Sequence, residues 1–223
     1  MTPTSFDGPV FGVGLGKTGT KTLRHCLVEW GFEVGTVWEQ AFDRYLAGDT
    51  EAIVAIAARH DAFEDWPWPL VFREMDDAFP NARFVLTVRR DADTWYRSLC
   101  KMAVRIGPLE EYDERVYGWA MPQGHRGAFV EFYERHNHAV REHFAGRPDK
   151  LIEICWETES TTDRLARFLG RAPLESVPHA NRSDRVYDGD RRWLAEINRI
   201  AYQSYRRLRR IVAHLVRRAR RVR

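Results

Sequence analysis

The residues best suited to chemistry lie near the start of the chain, in the glycine-rich run Gly14-Leu15-Gly16-Lys17-Thr18-Gly19-Thr20. An apolar segment, residues 11–15, leads into this run, and a helical pattern of apolar residues follows it. In such a strand, turn and helix, several backbone N–H groups converge at the positive end of the helix and can bind an anion. Lys17 adds a positive charge. Further hydroxyl donors come from Thr18, Thr20 and Thr22.

A second group of polar residues follows the most apolar segment of the chain. Residues 83–88 predict a buried strand, and Arg89 and Arg90 end it. Ser98 follows Arg90 by eight residues, in a segment whose apolar spacing predicts a helix. An arginine can grip a phosphate through two parallel hydrogen bonds, and a serine hydroxyl can complete the contact. The pattern therefore predicts a second anion site.

Two other classes of nucleotide-binding loop compete for the first site. The kinase pattern GxxxxGK[ST] fits Gly16-Lys17-Thr18, but its first glycine falls on Phe11, and no acidic residue ends a later strand to bind Mg²⁺. The dinucleotide pattern GxGxxG fits the three glycines of the run, and Glu39 lies twenty residues beyond the last of them. That pattern leaves Lys17 and the second site unexplained. A magnesium-dependent nucleotide or metabolite kinase and an NAD(P)-binding oxidoreductase therefore remain the alternatives.

The elements that must hold these residues alternate between strand and helix, which indicates a parallel α/β sheet. The predicted strands are residues 11–15, 32–37, 83–88 and 151–155, with a short extended segment at 61–68. The predicted helices are residues 21–30, 40–59 with a break at Gly48, 70–79, one through Trp95, Leu99 and Met102, 127–145 and 163–169. Residues 105–126 carry several glycines and prolines and are predicted to be irregular.

Together the two sites resemble those of the sulfotransferases that use 3′-phosphoadenosine 5′-phosphosulfate (PAPS), in particular the bacterial branch of that family. Gly16-Lys17-Thr18-Gly19-Thr20 is similar to the family's phosphate loop. The strand that ends in Arg89-Arg90, followed by Ser98, is similar to the family's grip on the donor's 3′-phosphate. The resemblance covers about residues 10–180. It implies a three-layer, P-loop-type α/β domain with a mostly parallel central sheet, and PAPS as co-substrate without a metal.

The resemblance also implies roles for single residues. Lys17 would be the catalytic cation that meets the charge on the oxygen leaving with the adenosine bisphosphate. The doubled arginine leaves open whether Arg89 or Arg90 grips the 3′-phosphate, and Arg182, in a late loop, would touch the same group. The residues expected to bind the donor are Gly16, Lys17, Thr18, Gly19, Thr20, Lys21, Thr22, Arg89, Arg90, Ser98 and Arg182.

The expected acceptor is a hydroxyl, or else an amine, on a small molecule, carbohydrate or glycolipid, and a hydroxyl benefits from a nearby base. The resemblance implies a base near the carboxyl edge of the sheet, where Asp65 stands. If Asp65 lies on a strand, Glu64 points to the opposite face, since side chains alternate. An aspartate is a weak base unless burial raises its pKa. The alternative is that Asp65 caps the turn at Pro67.

The composition fits a single α/β domain, residues 1–190, followed by a basic amphipathic helix, residues 191–223. There is no apolar run long enough to cross a membrane, and the N-terminus lacks the features of a signal peptide. Three isolated cysteines indicate a reduced, cytoplasmic protein: Cys26, Cys100 and Cys155. No metal site is expected, because His136, His138 and His143 do not share one helix face.

The net charge of +3 hides an asymmetry between the two parts of the chain. Residues 191–223 hold twelve arginines and one acid, or +11, so residues 1–190 carry −8 out of the total of 35 basic and 32 acidic residues. Because the net charge of residues 1–190 does not attract anions, an anion site there must depend on nearby cationic side chains and N–H groups. The tail is expected to pack on the domain, to pack on a second subunit in a homodimer, or to lie peripherally on the inner face of a membrane. Nucleic acid is not an expected partner.

Overall fold

The computed structural model describes residues 8–106 and 111–176, together with Trp193, Ile197, Ile200, Ala201, Ser204 and Leu208. The strands are β1 (Val10–Gly12), β2 (Ala62–Phe63), β3 (Arg83–Thr87) and β4 (Leu151–Ile154). The helices are α1 (Thr20–Glu29), α2 (Trp38–Leu46), α3 (Thr50–Ala57), α4 (Phe72–Ala78), α5 (Ala92–Ile106), α6 (Glu111–Tyr117), α7 (Arg126–His143) and α8 (Asp163–Phe168), with a 3-10 turn at Trp68–Leu70.

The four strands form one parallel sheet in the order β2-β1-β3-β4. Phe11 in β1 lies opposite Phe63 on one side and Phe84 on the other, and Val85 lies opposite Ile152 of β4. Because β1 and β3 are neighbours, the two segments predicted to bind anions leave from adjacent strands. The sheet confirms the predicted α/β class.

Alternate residues along the strands face two different apolar clusters. Phe11 and Phe84 belong to a cluster to which α2, α3, α4 and α7 also contribute. Val10 and Val85 belong to a second cluster, which contains residues of α1 and α8. Since successive side chains of a strand point to opposite faces, helices cover the sheet on both sides. This is the predicted three-layer arrangement.

Three segments differ from the prediction. The strand predicted at residues 11–15 is observed at Val10–Gly12, and residues 13–15 belong to the loop that follows it. Residues 32–37 do not form a strand; only Val34 pairs with Ala62, through a single parallel bridge. The pairing cannot extend because β2, the neighbouring strand, is two residues long. Within residues 105–126, predicted to be irregular, Glu111–Tyr117 form α6. This stretch contains neither glycine nor proline, so nothing in it prevents a helix.

The described residues divide into two compact units. The first holds the sheet and extends to Trp95, and it resumes at Glu131. The second holds Tyr96–Val130 and the described residues of the tail. Within the second unit, the Tyr96 hydroxyl donates to the Pro122 carbonyl at 2.7 Å, and Gln123 Nε2 donates to the Cys100 carbonyl at 3.0 Å.

The tail is described at six positions, and all six are helical and exposed. Four of them are large apolar side chains, more than half exposed: Trp193, Ile197, Ile200 and Leu208. The rest of residues 177–223, including Arg182, lies outside the described residues, so the domain boundary at 190 and the partner of the tail stay predictions. In the described part of the chain, none of the helices combines the length and the apolar character needed to cross a membrane.

Candidate functional site

The carboxyl ends of the four parallel strands meet at one edge of the sheet, where ligands bind in open α/β folds. Four segments leave from this edge. We call them the cradle loop (residues 13–19, after β1), the acidic turn (residues 64–67, after β2), the arginine corner (Arg89 and Arg90, after β3) and the β4 turn (residues 155–158). The described residues of the first unit that were predicted to be catalytic or donor-binding lie on the first three segments and on the start of α1.

The cradle loop packs directly against the end of β3. A Cβ on Gly14 would overlap the hydroxyl and carbonyl oxygens of Thr87 and lie 2.8 Å from the Thr87 nitrogen, so this position requires glycine. The Thr18 hydroxyl donates to the Leu15 carbonyl at 2.6 Å and shares a 2.6 Å hydrogen bond with the Thr87 hydroxyl. Thr18 and Thr87 are almost fully buried. Neutral, buried contacts therefore fix the loop to its neighbouring strand.

Two residues of the cradle loop adopt left-handed backbone conformations. Lys17 has φ 74°, which is uncommon for a residue with a side chain, and Gly19 has φ 100°. Gly19 is the N-cap of α1 and offers no side-chain cap, so the first N–H groups of the helix have no side-chain acceptor from the N-cap. A Cβ on Gly19 would also clash with the Trp156 indole, whose Nε1 would be 3.0 Å away. This is the backbone geometry of an anion cradle.

The carbonyl groups in the middle of the cradle loop are bound by donors from the neighbouring segments. Trp95 Nε1 donates to the Gly16 carbonyl at 2.9 Å, and Arg89 Nε donates to the Lys17 carbonyl at 2.8 Å. Trp95 is buried and stacks on Tyr133, with ring centroids 4.6 Å apart. These two hydrogen bonds engage carbonyl oxygen atoms that would otherwise repel an anion bound in the loop.

The two arginines of the corner are held very differently. The Arg89 backbone N–H donates to the Tyr133 hydroxyl at 3.0 Å, and its side chain, 25% exposed, also pairs with Glu157 at 3.2 Å. The Arg90 side chain is 63% exposed and lies 3.4 Å from the Asp91 carboxylate. Asp91 caps the start of α5 by accepting from the Thr94 N–H at 2.6 Å. Arg89 is thus built into the site, whereas Arg90 extends toward solvent.

The acidic turn follows β2 at once, so strand alternation does not apply to it. Asp65 adopts φ 72°, and its Oδ1 accepts from the Trp66 N–H at 3.1 Å. Burial raises the pKa of Asp65 above its ordinary value, against the opposing effects of the Trp66 N–H and the Lys21 charge. The expectation that Glu64 faces away from Asp65 depended on a strand at this position, and that strand ends at Phe63.

Glu64 is the second half-buried carboxylate of the acidic turn. Its side chain is 10% exposed, and Oε1 lies 3.5 Å from the Arg24 guanidinium. Burial raises the pKa of Glu64, and the nearby Asp65 charge raises it further, while Arg24 and the Thr20 hydroxyl oppose the shift. Two half-buried carboxylates therefore stand next to the first turn of α1.

The remaining predicted residues occupy different surroundings. Thr20 and Thr22 are buried in the first turn of α1, and Lys21 is exposed. Because the Thr18 hydroxyl is engaged inside the protein, any contact of Thr18 with a donor would come from its backbone. Ser98 lies in α5 and belongs to the second unit, so its place beside the arginines stays a prediction.

The three histidines of α7 lie apart from one another. His136 is buried, with Nε2 2.7 Å from the Val13 carbonyl, and burial lowers its pKa to about 4. His143 contacts the Asp76 carboxylate at 2.9 Å, and His138 lies 3.9 Å from Glu142. Among the described residues there is no group of three or more His, Cys, Asp or Glu side chains that could hold a metal ion.

The sequence did not single out the β4 turn. Trp156 covers Gly19 of the cradle loop, and Glu157 binds both residues of the arginine corner. One signal for this turn was present: residues 155–158 follow a predicted strand, and the ends of parallel strands meet at one edge. The contacts themselves join residues 67 and 68 positions apart in the chain.

The chain matches the family of sulfotransferase domains over residues 9–186, which is well over half of its 223 residues. The matched region includes every strand, the cradle loop, the acidic turn, the arginine corner and the β4 turn. No curated protein matches the chain.

Proposed function

Because this chain belongs to the sulfotransferase domain family, we propose that it transfers a sulfuryl group from PAPS to a hydroxyl of a small molecule, carbohydrate or glycolipid. The observation that carries the choice of donor is the pairing of two cationic segments on adjacent strands. Lys17 in the cradle loop and Arg89 in the corner are joined by a 2.8 Å hydrogen bond from the Arg89 Nε to the Lys17 carbonyl. A donor with phosphates at both its 5′ and 3′ ends needs two such sites close together.

The proposed reaction is an in-line displacement at sulfur. The acceptor oxygen forms a bond to sulfur, and the bond from sulfur to the 5′-phosphate oxygen breaks, leaving adenosine 3′,5′-bisphosphate. Charge develops on the departing oxygen, so catalysis depends on positioning and on cations aimed at that oxygen. We assign that role to Lys17, with the N–H groups of the cradle loop and of the first turn of α1.

The proton of the acceptor hydroxyl needs a base, and Asp65 is our candidate. The burial that raises the pKa of Asp65 makes its carboxylate a stronger base than an exposed aspartate. Its position after β2 is on the same edge of the sheet as the cradle loop, one strand away from β1. Glu64, half-buried beside it, adds a second negative charge that favours keeping a proton in this pair.

The first test is calorimetric titration with adenosine 3′,5′-bisphosphate in the presence of EDTA. We expect a Kd of about 1 μM or lower, as is usual for a charged nucleotide held at two sites. Binding that requires Mg²⁺ and a nucleoside triphosphate would point to a kinase instead, and preferential binding of NADH or NADPH to an oxidoreductase. A chain that binds none of these nucleotides would contradict the proposal.

The second test measures transfer of a radiolabelled sulfuryl group from PAPS to panels of hydroxyl and amine acceptors. Lys17→Ala should lower kcat by about 100- to 1000-fold, as removal of one transition-state donor does in other enzymes, with a smaller change in donor affinity. Arg59→Ala is the matched control, since Arg59 is an exposed cation just before β2, at the opposite edge of the sheet. A loss confined to KM would assign Lys17 to ground-state binding alone.

A further inference from the structure

Glu157 occupies the arginine corner in a way that the proposed reaction does not explain. Its Oε1 accepts from the Arg89 guanidinium at 3.2 Å, and its Oε2 accepts from the Arg90 backbone N–H at 2.9 Å. A carboxylate thus bridges the two residues expected to meet the donor's 3′-phosphate.

The groups that bind Glu157 are those that bind phosphates in proteins. A guanidinium and a backbone N–H at a strand end together form a charge-assisted donor set for an oxyanion. An incoming phosphate would have to share these donors with the Glu157 carboxylate or displace it. Sharing brings two anions to one cationic corner, which is unfavourable at such short range.

The Glu157 side chain is placed to move away. It is 26% exposed and sits on the β4 turn, where the Thr158 and Glu159 N–H groups donate to the Cys155 carbonyl at 2.9 and 3.0 Å. Those backbone bonds fix the turn without involving the Glu157 carboxylate. A change of side-chain rotamer could therefore free the corner while the turn keeps its structure.

We propose that Glu157 is an internal competitor for the 3′-phosphate and so sets the affinity of the site for a nucleotide that carries this group. Its carboxylate holds the arginine corner until a nucleotide with a 3′-phosphate takes its place. A phosphate dianion carries more charge and more acceptor oxygens than a carboxylate, so it can displace Glu157, whereas a nucleotide without that group cannot. This inference rests on the proposed function, because it takes adenosine 3′,5′-bisphosphate to be the reaction product.

The test compares Glu157→Gln and Glu157→Ala with the parent chain by calorimetry, using adenosine 3′,5′-bisphosphate and adenosine 5′-monophosphate. Removing the competing charge should tighten binding of the bisphosphate by about tenfold, the equivalent of one charge-assisted hydrogen bond, and leave binding of the monophosphate unchanged. Glu159→Gln is the matched control: Glu159 lies two residues further along and pairs with Arg164 instead.

The outcomes separate this inference from the proposed function. If the parent and the Glu157 variants bind the bisphosphate equally, Glu157 does not compete with the ligand. If the variants bind it more weakly, Glu157 positions Arg89. Either result overturns this inference and leaves the proposed function standing. Equal gains for both nucleotides would also overturn it, since the effect would then be a general loss of negative charge. If the parent chain does not bind the bisphosphate at all, both proposals fail. Thermal unfolding of each variant checks that the fold is intact.

Discussion

The cradle loop and the arginine corner follow adjacent strands, but each is fixed in place by a different kind of interaction. The loop is fixed by close packing of Gly14 on Thr87, by the bond between the Thr18 and Thr87 hydroxyls, and by the Trp95 indole. All of these groups are neutral and nearly all are buried. In the corner, Arg89 pairs with Glu157 and Arg90 with Asp91, and all four side chains are at least partly exposed.

The difference indicates which end of the site is rigid and which can respond to a ligand. Buried neutral contacts do not depend on salt and cannot be replaced by a ligand, so the loop should keep the same shape with and without the donor. Partly exposed ion pairs contribute little net stability, and a stronger anion can replace one partner. We therefore expect a preformed cradle for the 5′ end of the donor and an exchangeable corner for the 3′ end.

The largest effect should follow from disturbing the rigid end. Gly14→Ala places a methyl group against the Thr87 hydroxyl and the Thr87 backbone, and a rotation of the Thr87 side chain would not relieve the backbone overlap. The variant should therefore lower the free energy of unfolding by about 3 kcal/mol. For a chain of this length that corresponds to a Tm lower by about 9 °C. Thermal unfolding followed by circular dichroism measures it.

Gly16→Ala provides the control within the same loop. No atom lies within 4 Å of a Cβ at Gly16, so the variant should change the free energy of unfolding by about 0.5 kcal/mol or less. If both variants unfold at the same temperature, the loop is not packed on β3 as described, and the contrast with the corner loses its basis.

An effect of similar size should appear with pH, through the buried His136 beneath the start of the cradle loop. The neutral imidazole donates a hydrogen bond to the Val13 carbonyl. Burial, opposed by that bond and aided by the nearby Arg73 charge, lowers the pKa of His136 to about 4. The unfolded chain takes up this proton near pH 6.5. Below that pH the unfolded state binds more protons, so stability is fully present above about pH 6.5 and is lost as the pH falls towards 4.

His136→Gln isolates that contribution, because glutamine can donate to the Val13 carbonyl without titrating. Between pH 7 and pH 4 the variant should lose about 3 kcal/mol less of its free energy of unfolding than the parent. Urea unfolding at pH 7, 5.5 and 4 gives the comparison, and His138→Gln, on the exposed side of α7, is the control. Parallel curves for parent and His136→Gln would mean that His136 is not buried in its neutral form.

Much of this contrast could be predicted from local sequence. The apolar run into the cradle loop, the helical stripe after it and the strand that ends at the two arginines all carry strong local patterns, and the structure confirms those elements. The break at Gly48 is confirmed too, since α2 ends at Leu46 and α3 begins at Thr50. These features depend on residues within a few positions of each other.

The features that sequence reasoning missed depend on contacts between distant segments. Whether residues 32–37 pair as a strand depends on the length of β2, and the alternation of Glu64 and Asp65 depends on where that strand ends. The role of Glu157 depends on the register between β3 and β4, which sets Thr87 opposite Ile154. None of these relations leaves a periodic pattern in the chain.

The smallest expected effect distinguishes the two arginines at the exchangeable end. Arg89→Ala removes bonds to the Lys17 carbonyl and to Glu157, so it should lower the free energy of unfolding by about 2 kcal/mol, the usual value for charged hydrogen bonds that are partly buried. Arg90→Ala removes a largely exposed pair and should cost about 0.5 kcal/mol or less. Binding of adenosine 3′,5′-bisphosphate to the two variants then compares the arginines, and the variant that loses more affinity identifies the residue that grips the 3′-phosphate. If Arg89→Ala and Arg90→Ala lower the free energy of unfolding equally, the two arginines are not held differently. Arg89 would then not link the rigid cradle loop to the arginine corner.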